Sequence, residues 1–304
     1  MSPLGRLFAP LLMALVLAVT GCDGNDRASD VPASTPAPAP AALSFIVHPY
    51  DNPSRLVERF QPLCDFLAER LQTPVRLDIA RSYVDQMRRI TSGQADLSYI
   101  GPTPFLRAQN SYLRGTEAKL VPLAAEVMGG KPSYHSVIVT RADSDIQSLA
   151  DLHGKLMAFG APHSYSSHYV PQVMLLKAGV DLGDLKDYAF LNRHERVALA
   201  VLHGDFDAGG LRAEMVTEYM HREPGLRVIA TSPPLSPHLI VARPGLPEAQ
   251  RELIQHSLLE FSDPRHHLGT RPVYYQSPDR NDLATVRRVV EIVETRPPPA
   301  QWPW

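Results

Sequence analysis

From Leu43 onward the chain alternates two apolar patterns, short continuous runs and longer stretches with apolar positions three and four apart, the signatures of buried strands and amphipathic helices. LSFIVHPY (43–50) predicts a strand. Asn52-Pro53-Ser54 then opens a helix in which Leu56, Phe60, Leu63, Leu67 and Leu71 share one face, with Pro53 suited to its first position. Val75–Ile79 predicts a strand, Tyr83–Ser92 a helix ended near Gly93, and Asp96–Ile100 a strand running through Gly101-Pro102 into a helix to about Ser111. Leu120–Val127 and Ser136–Arg141 predict strands separated by the turn Gly129–Pro132. A second series follows: helix Ser148–Leu152, strand Leu156–Phe159, a serine-led helix ending at Lys177, strand Asp187–Phe190, helix His194–His203 and strand Ala208–Leu211. After strand Val228–Thr231 and a proline-rich turn come strand Leu239–Ala242, helix Pro247–Phe261 and a last helix, Thr285–Glu294, expected to pack on the first lobe. This order predicts an α/β protein of two lobes, each a mixed, mostly parallel sheet flanked by helices. The first lobe spans 43–136, completed by 241–304, and the second 137–240, with crossings near Tyr134–Val139 and Ser236–Arg243.

The N-terminus reads differently. Arg6 precedes an apolar run from Leu7 to Val19, shorter than the roughly 20 residues that span a bilayer, and the pattern is that of an export signal over 1–21. Val19-Thr20-Gly21-Cys22 resembles the lipobox of bacterial lipoproteins, which implies acylation of Cys22 and anchoring by that lipid, the alternative being an ordinary cleaved signal. Asp23 resembles a signal that retains lipoproteins on the periplasmic face of the plasma membrane, with the outer membrane as the other destination. Residues 22–42, rich in Pro, Ala and Ser, cannot build a core and form an extended tether. With Cys22 acylated, Cys64 has no internal partner; its place on the apolar helix face predicts a buried, inert thiol.

The whole chain of 304 residues carries 30 Lys+Arg against 32 Asp+Glu, a formal net charge of -2, with no long basic block, which argues against nucleic acid as a partner. The most informative stretch is LMAFGAPHSYSSHYVPQVMLLK (156–177), a strand, a turn and three serines at a helix start. The first N–H groups of a helix lack internal partners and carry the positive end of its dipole, so Ser164, Ser166 and Ser167 surround an anion-binding spot, or one of them simply caps the helix.

In order and spacing, IVHPYDNPSRL, FQPLCDFLAERLQTPV, SYVDQMRRITSGQADLSYIGPTPFL, GKPSYHSVIVTR, SLADLHGKLMAFG, the serine segment, ALAVLHGDFDAGG and LRVIATSPPLSPHLIVAR resemble the phosphate/phosphite/phosphonate-binding family of ABC-transporter solute-binding proteins. The resemblance covers nearly all of Leu43–Glu294. It implies a type II periplasmic-binding-protein fold whose lobes hinge at two crossings, close on an oxyanion and deliver it to a permease served by a separate ATPase. It further implies a monomer that needs no cofactor or metal and is not an enzyme. Where the family reads Ser-Thr-Ser-Gly, this chain reads Ser164-Tyr165-Ser166-Ser167, keeping two hydroxyls, adding a large ring and replacing the glycine. Tyr83 and Tyr134 match tyrosines that contact ligand from the opposite lobe, and His194 a donor to the oxyanion. Of two acids set against an ammonium group, Glu214 aligns with one, and the other falls at His238. The implied ligand keeps the oxyanion head without the short ammonium tail. Arg212 either pairs with Glu214 at the surface or projects into the cleft as a further anion donor.

Other readings are weaker. Ser164 or Ser166 with His194 and Asp207 would make a hydrolase triad, but there is no Gly-x-Ser-x-Gly elbow, and Asp207 is expected to organise the turn Gly204–Gly210. His163, His168, His266 and His267 lack metal-ligand spacing and read as surface histidines. The same fold and cleft would also suit a lipoprotein that signals its ligand to a membrane receptor.

Overall fold

The computed structural model describes residues 42–222, 225–268, 271–279 and 283–296. The export signal, Cys22 and all but the last residue of the tether lie outside them. In chain order the elements begin β1 (Leu43–Val47), α1 (Pro53–Leu71), β2 (Val75–Ile79), α2 (Tyr83–Thr91), β3 (Leu97–Ile100), α3 (Pro102–Arg107) and β4 (Val121–Met128). The second series is β5 (Ser136–Arg141), β6 (Leu156–Phe159), α4 (Val170–Lys177), β7 (Asp187–Phe190), α5 (His194–Leu202), β8 (Ala208–Arg212), α6 (Ala213–Arg222) and β9 (Leu226–Thr231). The chain closes with β10 (Leu239–Ala242), α7 (Glu248–Glu260), β11 (His267–Leu268), β12 (Arg271–Gln276) and α8 (Leu283–Thr295).

These strands form a seven-stranded sheet, β11-β12-β4-β10-β3-β1-β2, and a five-stranded sheet, β7-β6-β8-β5-β9. Both are mixed, and the expectation that each is mostly parallel needs correction. In the larger sheet β1 runs parallel to β2 and β3, but the β3–β10, β10–β4, β4–β12 and β12–β11 pairs are antiparallel. In the smaller, β6 runs parallel to β7 and β8, while β5 lies antiparallel to β8 and β9. Crossover helices return a strand parallel to the one before it, whereas β5 and β10 each enter directly from the other sheet, with no crossover to reverse them.

The two connecting segments run side by side. Tyr134 bridges Leu235, and the Ser136 N–H donates to Ser232 Oγ at 3.0 Å. Strands arriving at this junction expose their carboxyl ends there, the usual position of a ligand crevice in α/β proteins. These are β1 ahead of His48, β3 ahead of Gly101, β6 ahead of the serine segment, and β8 ending in Arg212. Strands leaving it contribute their starts, so Tyr134 and His238 sit just ahead of β5 and β10.

Local chemistry explains the elements. Asn52 caps α1, its side chain accepting from the Ser54 N–H at 3.0 Å, with Pro53 at the first turn. The helix buries Leu56, Phe60, Leu63, Cys64 and Leu67, and burial pushes the Cys64 thiol up to about 12, so it is inert. The predicted helix at 148–152 is only a 3-10 turn, Ala150–Leu152. There the Asp151 carboxylate takes the Gln147 and Ser148 N–H groups, a local alternative that competes with helix propagation. The sequence reading did not anticipate α6, β11 or β12. The last helix does more than expected: α8 packs on α3 beside the large sheet and also on α4 and the serine segment beside the small one. At that seam the Arg107 guanidinium donates to Tyr169 Oη at 2.5 Å and to Glu294.

Phe60 is fully buried against Phe45, Tyr99 and His266. Phe60→Ala should lower unfolding free energy by about 3–5 kcal/mol in urea denaturation. A loss under about 1 kcal/mol would contradict this packing.

Candidate functional site: a closed cleft between the sheets

The small-sheet wall is the serine segment. After β6 and Gly160, Tyr165–Tyr169 form a wide π-helical turn continuous with α4. Ser164 caps it, its hydroxyl accepting from the Ser167 N–H at 3.3 Å, and the Ser136 hydroxyl donates to the Ser166 carbonyl at 2.6 Å. A Cβ on Gly160 would sit 2.0 Å from Ser167 Oγ, so only glycine lets the turn pack down on β6. Ser167 therefore points back at Gly160 and does not line the cleft.

The large-sheet wall holds His48, Tyr50, Tyr83 at the start of α2, and Gly101, Pro102 and Pro104 at the start of α3; Tyr134 and His238 come from the crossings. With Ser164, Tyr165, Ser166, His194 and Arg212 these residues enclose a cavity of about 10 Å³, the room of a single water molecule. The lobes touch directly, the His194 N–H donating to the Tyr50 carbonyl at 3.0 Å. The hydroxyls of Tyr134 and Tyr165 are buried without a hydrogen-bond partner, and burial raises both above the usual tyrosine range. A buried unpaired hydroxyl is costly, so these two are donors in want of an acceptor.

A charged cluster backs the cavity. The Glu126 carboxylate, on β4, receives Arg59 Nη2 at 2.5 Å, Tyr99 Oη at 2.6 Å and Arg212 Nη2. Burial alone would push Glu126 up, but the Arg212 and Arg59 guanidinium groups outweigh it and hold the carboxyl well below the usual carboxylate range. Arg212, from β8 of the other sheet, is only 2% exposed. Its Nε donates to Glu214 at 3.2 Å, its Nη1 lies 3.3 Å from Tyr99 Oη and 3.4 Å from His238 Nδ1, and its guanidinium stacks 4.5 Å over the Tyr134 ring.

The histidine tautomers follow from their partners. His194 Nδ1 accepts from the Arg212 N–H at 3.2 Å, and His238 Nδ1 faces a guanidinium donor, so in each ring Nε2 carries the proton as a donor. His48 is reversed: Nδ1 lies 3.2 Å from the Tyr99 carbonyl and must donate, which leaves Nε2 as an acceptor. Burial, reinforced by Arg212, holds His48 and His194 neutral down to about 3, and places His238 well below its ordinary value. The cleft thus presents neutral hydroxyl and imidazole donors, backed by a charge cluster in which two arginines cancel two glutamates.

Residues 45–277 match the family of phosphonate periplasmic substrate-binding proteins of ABC transporters. The chain belongs to this family. A phosphate-import protein, PhnD, of Mycolicibacterium smegmatis is 31% identical over 217 residues, covering 68% of this chain and 65% of that protein, so the match spans just under two thirds of the relative's length. Among solved structures, PhnD1 of Prochlorococcus marinus in complex with methylphosphonate superposes with TM-score 0.72 at 19% identity, covering 83% of this chain and 98% of that one. A phosphonate-transporter binding component from Pseudomonas aeruginosa gives 0.73 at 20% identity, covering 82% and 85%. The fold is thus the two-lobed type II periplasmic-binding-protein fold that the sequence implied.

Within that fold, Tyr83, Tyr134, Ser164, Tyr165, Ser166, His194 and His238 meet around one cavity. Glu214 does not line it and stands behind Arg212. A surface pair between Arg212 and Glu214 is ruled out, because both are buried. Ser164, His194 and Asp207 form no triad: the Asp207 carboxylate takes the Leu156 N–H at 2.7 Å, while His194 Nδ1 is already bonded to backbone. His168 and His266 are buried rather than superficial, bonded to the carbonyls of Pro162 and Arg59. Sequence reasoning missed His48, Tyr50, Arg59, Tyr99 and Glu126. HPY after β1 was a visible signal, but Arg59 looks like any exposed arginine of an amphipathic helix, and Glu126 lies in an ordinary strand.

Five buried histidines, 48, 168, 194, 238 and 266, stay neutral in the fold below their unfolded value of 6.5. The unfolded chain therefore binds more protons below that value, so stability is complete above pH 6.5 and falls as pH drops from there toward 3. The thermal midpoint should decline steadily from pH 7 to pH 4, and a midpoint unchanged across that range would contradict neutral burial.

Proposed function

We propose that this chain is the extracytoplasmic binding protein of an ABC importer, tethered through a lipid on Cys22 and capturing a phosphonate- or phosphate-type oxyanion between its lobes for delivery to a permease. The observation that carries the reading is the convergence, from both sheets, of the serine turn, the His194 and His238 Nε2–H groups and the unpartnered Tyr134 and Tyr165 hydroxyls on one closed cavity. Neutral donors around a tetrahedral anion supply its hydrogen bonds without the desolvation of further charges. The similarity to a phosphate-import protein and to a binding protein solved in complex with methylphosphonate supports the same ligand chemistry.

In this reading the lobes, 43–136 with 241–304 and 137–240, swing about the paired crossings at Tyr134 and Leu235, and ligand selects the closed form. Tyr83 and Tyr134 cover the anion from the first lobe while Ser164, Ser166 and His194 hold it from the second. The protein acts as a monomer, and its role is binding, not catalysis.

Calorimetry with phosphate, phosphite and methylphosphonate tests this. Ser166→Ala and His194→Ala should each weaken the best ligand by roughly 1–3 kcal/mol, and unchanged affinity in both would remove the site from this cleft. The thermal midpoint should rise with ligand concentration. Metabolic labelling with a fatty acid should mark the wild-type chain and not Cys22→Ser; an unlabelled wild-type chain would exclude the lipid anchor.

A further inference from the structure

The Arg212 guanidinium has no donor to spare. Nε serves Glu214, Nη1 serves Tyr99 and His238, and Nη2 serves Glu126 and the Met128 sulfur, all in a side chain 2% exposed. Its plane covers the Tyr134 ring, whose unpartnered hydroxyl lies beside Ser166, so the guanidinium fills the cleft next to the anion spot. The carboxylates it serves belong to opposite sides of the cleft, Glu126 on β4 and Glu214 on α6, and without Arg212 both would face that space. Arg59 would still reach Glu126, but among the described residues Glu214 would keep only Arg271, 3.8 Å away and 60% exposed.

We propose that Arg212 is a built-in counter-cation. It supplies from the chain the positive charge that two buried acids would otherwise draw from a ligand, and it restricts the site to compact tetrahedral oxyanions without a cationic tail. This inference rests on the function proposed above. An aminoalkyl phosphonate would have to displace the guanidinium, breaking its pairs with Glu126 and Glu214, and then bring a second cation into a cluster already neutral. A head the size of phosphate, phosphite or methylphosphonate needs only a slight parting of the lobes around the small cavity.

Titrating the full chain with phosphate, phosphite, methylphosphonate and 2-aminoethylphosphonate tests the assignment. At least one compact anion should bind, and 2-aminoethylphosphonate should bind roughly 100-fold more weakly than methylphosphonate. In Arg212→Ala the order should reverse, with 2-aminoethylphosphonate gaining about tenfold or more as its ammonium meets Glu126 and Glu214. The double variant Glu126→Gln/Arg212→Met removes both the cation and the acid nearest it. Whatever its absolute affinity, its preference for methylphosphonate over 2-aminoethylphosphonate should fall to about tenfold or less, and it serves if the single variant fails to fold. Wild type binding none of the four would overturn the proposed function itself. Wild type binding 2-aminoethylphosphonate as well as methylphosphonate, a folded Arg212→Ala without the gain, or a folded double variant that keeps the roughly 100-fold preference for methylphosphonate would overturn only the counter-cation.

Discussion

The carboxylate of Glu126, held between Arg59 from its own lobe and Arg212 from the other, is the interaction on which the closed arrangement depends. Removing a carboxylate from water costs several kcal/mol, and that cost is offset only when its lone pairs are filled with good geometry. Here they are filled by two guanidinium groups and the Tyr99 hydroxyl. Because one guanidinium arrives from the opposite sheet, the carboxylate is fully satisfied only when the lobes are together. The charge cluster that makes the interior of the cleft tolerable is thus also an interlobe contact.

The neighbouring rings take their states from this cluster. The positive charge of Arg212 adds to burial in keeping the histidines neutral, and its N–H groups fix which imidazole nitrogen accepts. Parallel rings of His48, Tyr99 and His238 stack within 5.0–5.7 Å of one another, so one rigid aromatic layer carries both donor and acceptor nitrogens. Across from it, the serine turn is seated by Gly160 and by the Ser136 hydroxyl. The Arg107–Tyr169–Glu294 seam ties that same turn to α3 and α8. Through this seam the C-terminal helix rests on both lobes.

Much of this was legible along the chain. Asn52-Pro53 and the Leu56–Leu67 stripe give α1 within a few residues, since capping and periodicity are local. The serine turn is marked in the same local way, and of its three hydroxyl residues Ser164 and Ser166 line the cavity that also gathers Tyr83, Tyr134, His194 and His238, the residues named by the family resemblance. Sheet direction was misjudged because it depends on which sheet a strand enters, and no residue in β5 or β10 records that. Ser167 looked like a crowded replacement for glycine; its orientation away from the cleft follows from Gly160, seven positions earlier.

What the sequence determined by itself is whatever short-range chemistry encodes: helix starts, buried strands, the hydroxyl-rich turn and the order of βα units. What only the tertiary structure decided is the partnership of groups far apart in the chain. Arg59, Glu126 and Arg212 are each ordinary in their own windows, and they become one charge cluster because two strands, β4 and β8, and the helix α1 meet at the same junction. Burial there turns two arginines, Arg59 and Arg212, and two glutamates, Glu126 and Glu214, into a fixed, cancelled set of charges. That cancellation is set by long-range packing rather than by local pattern.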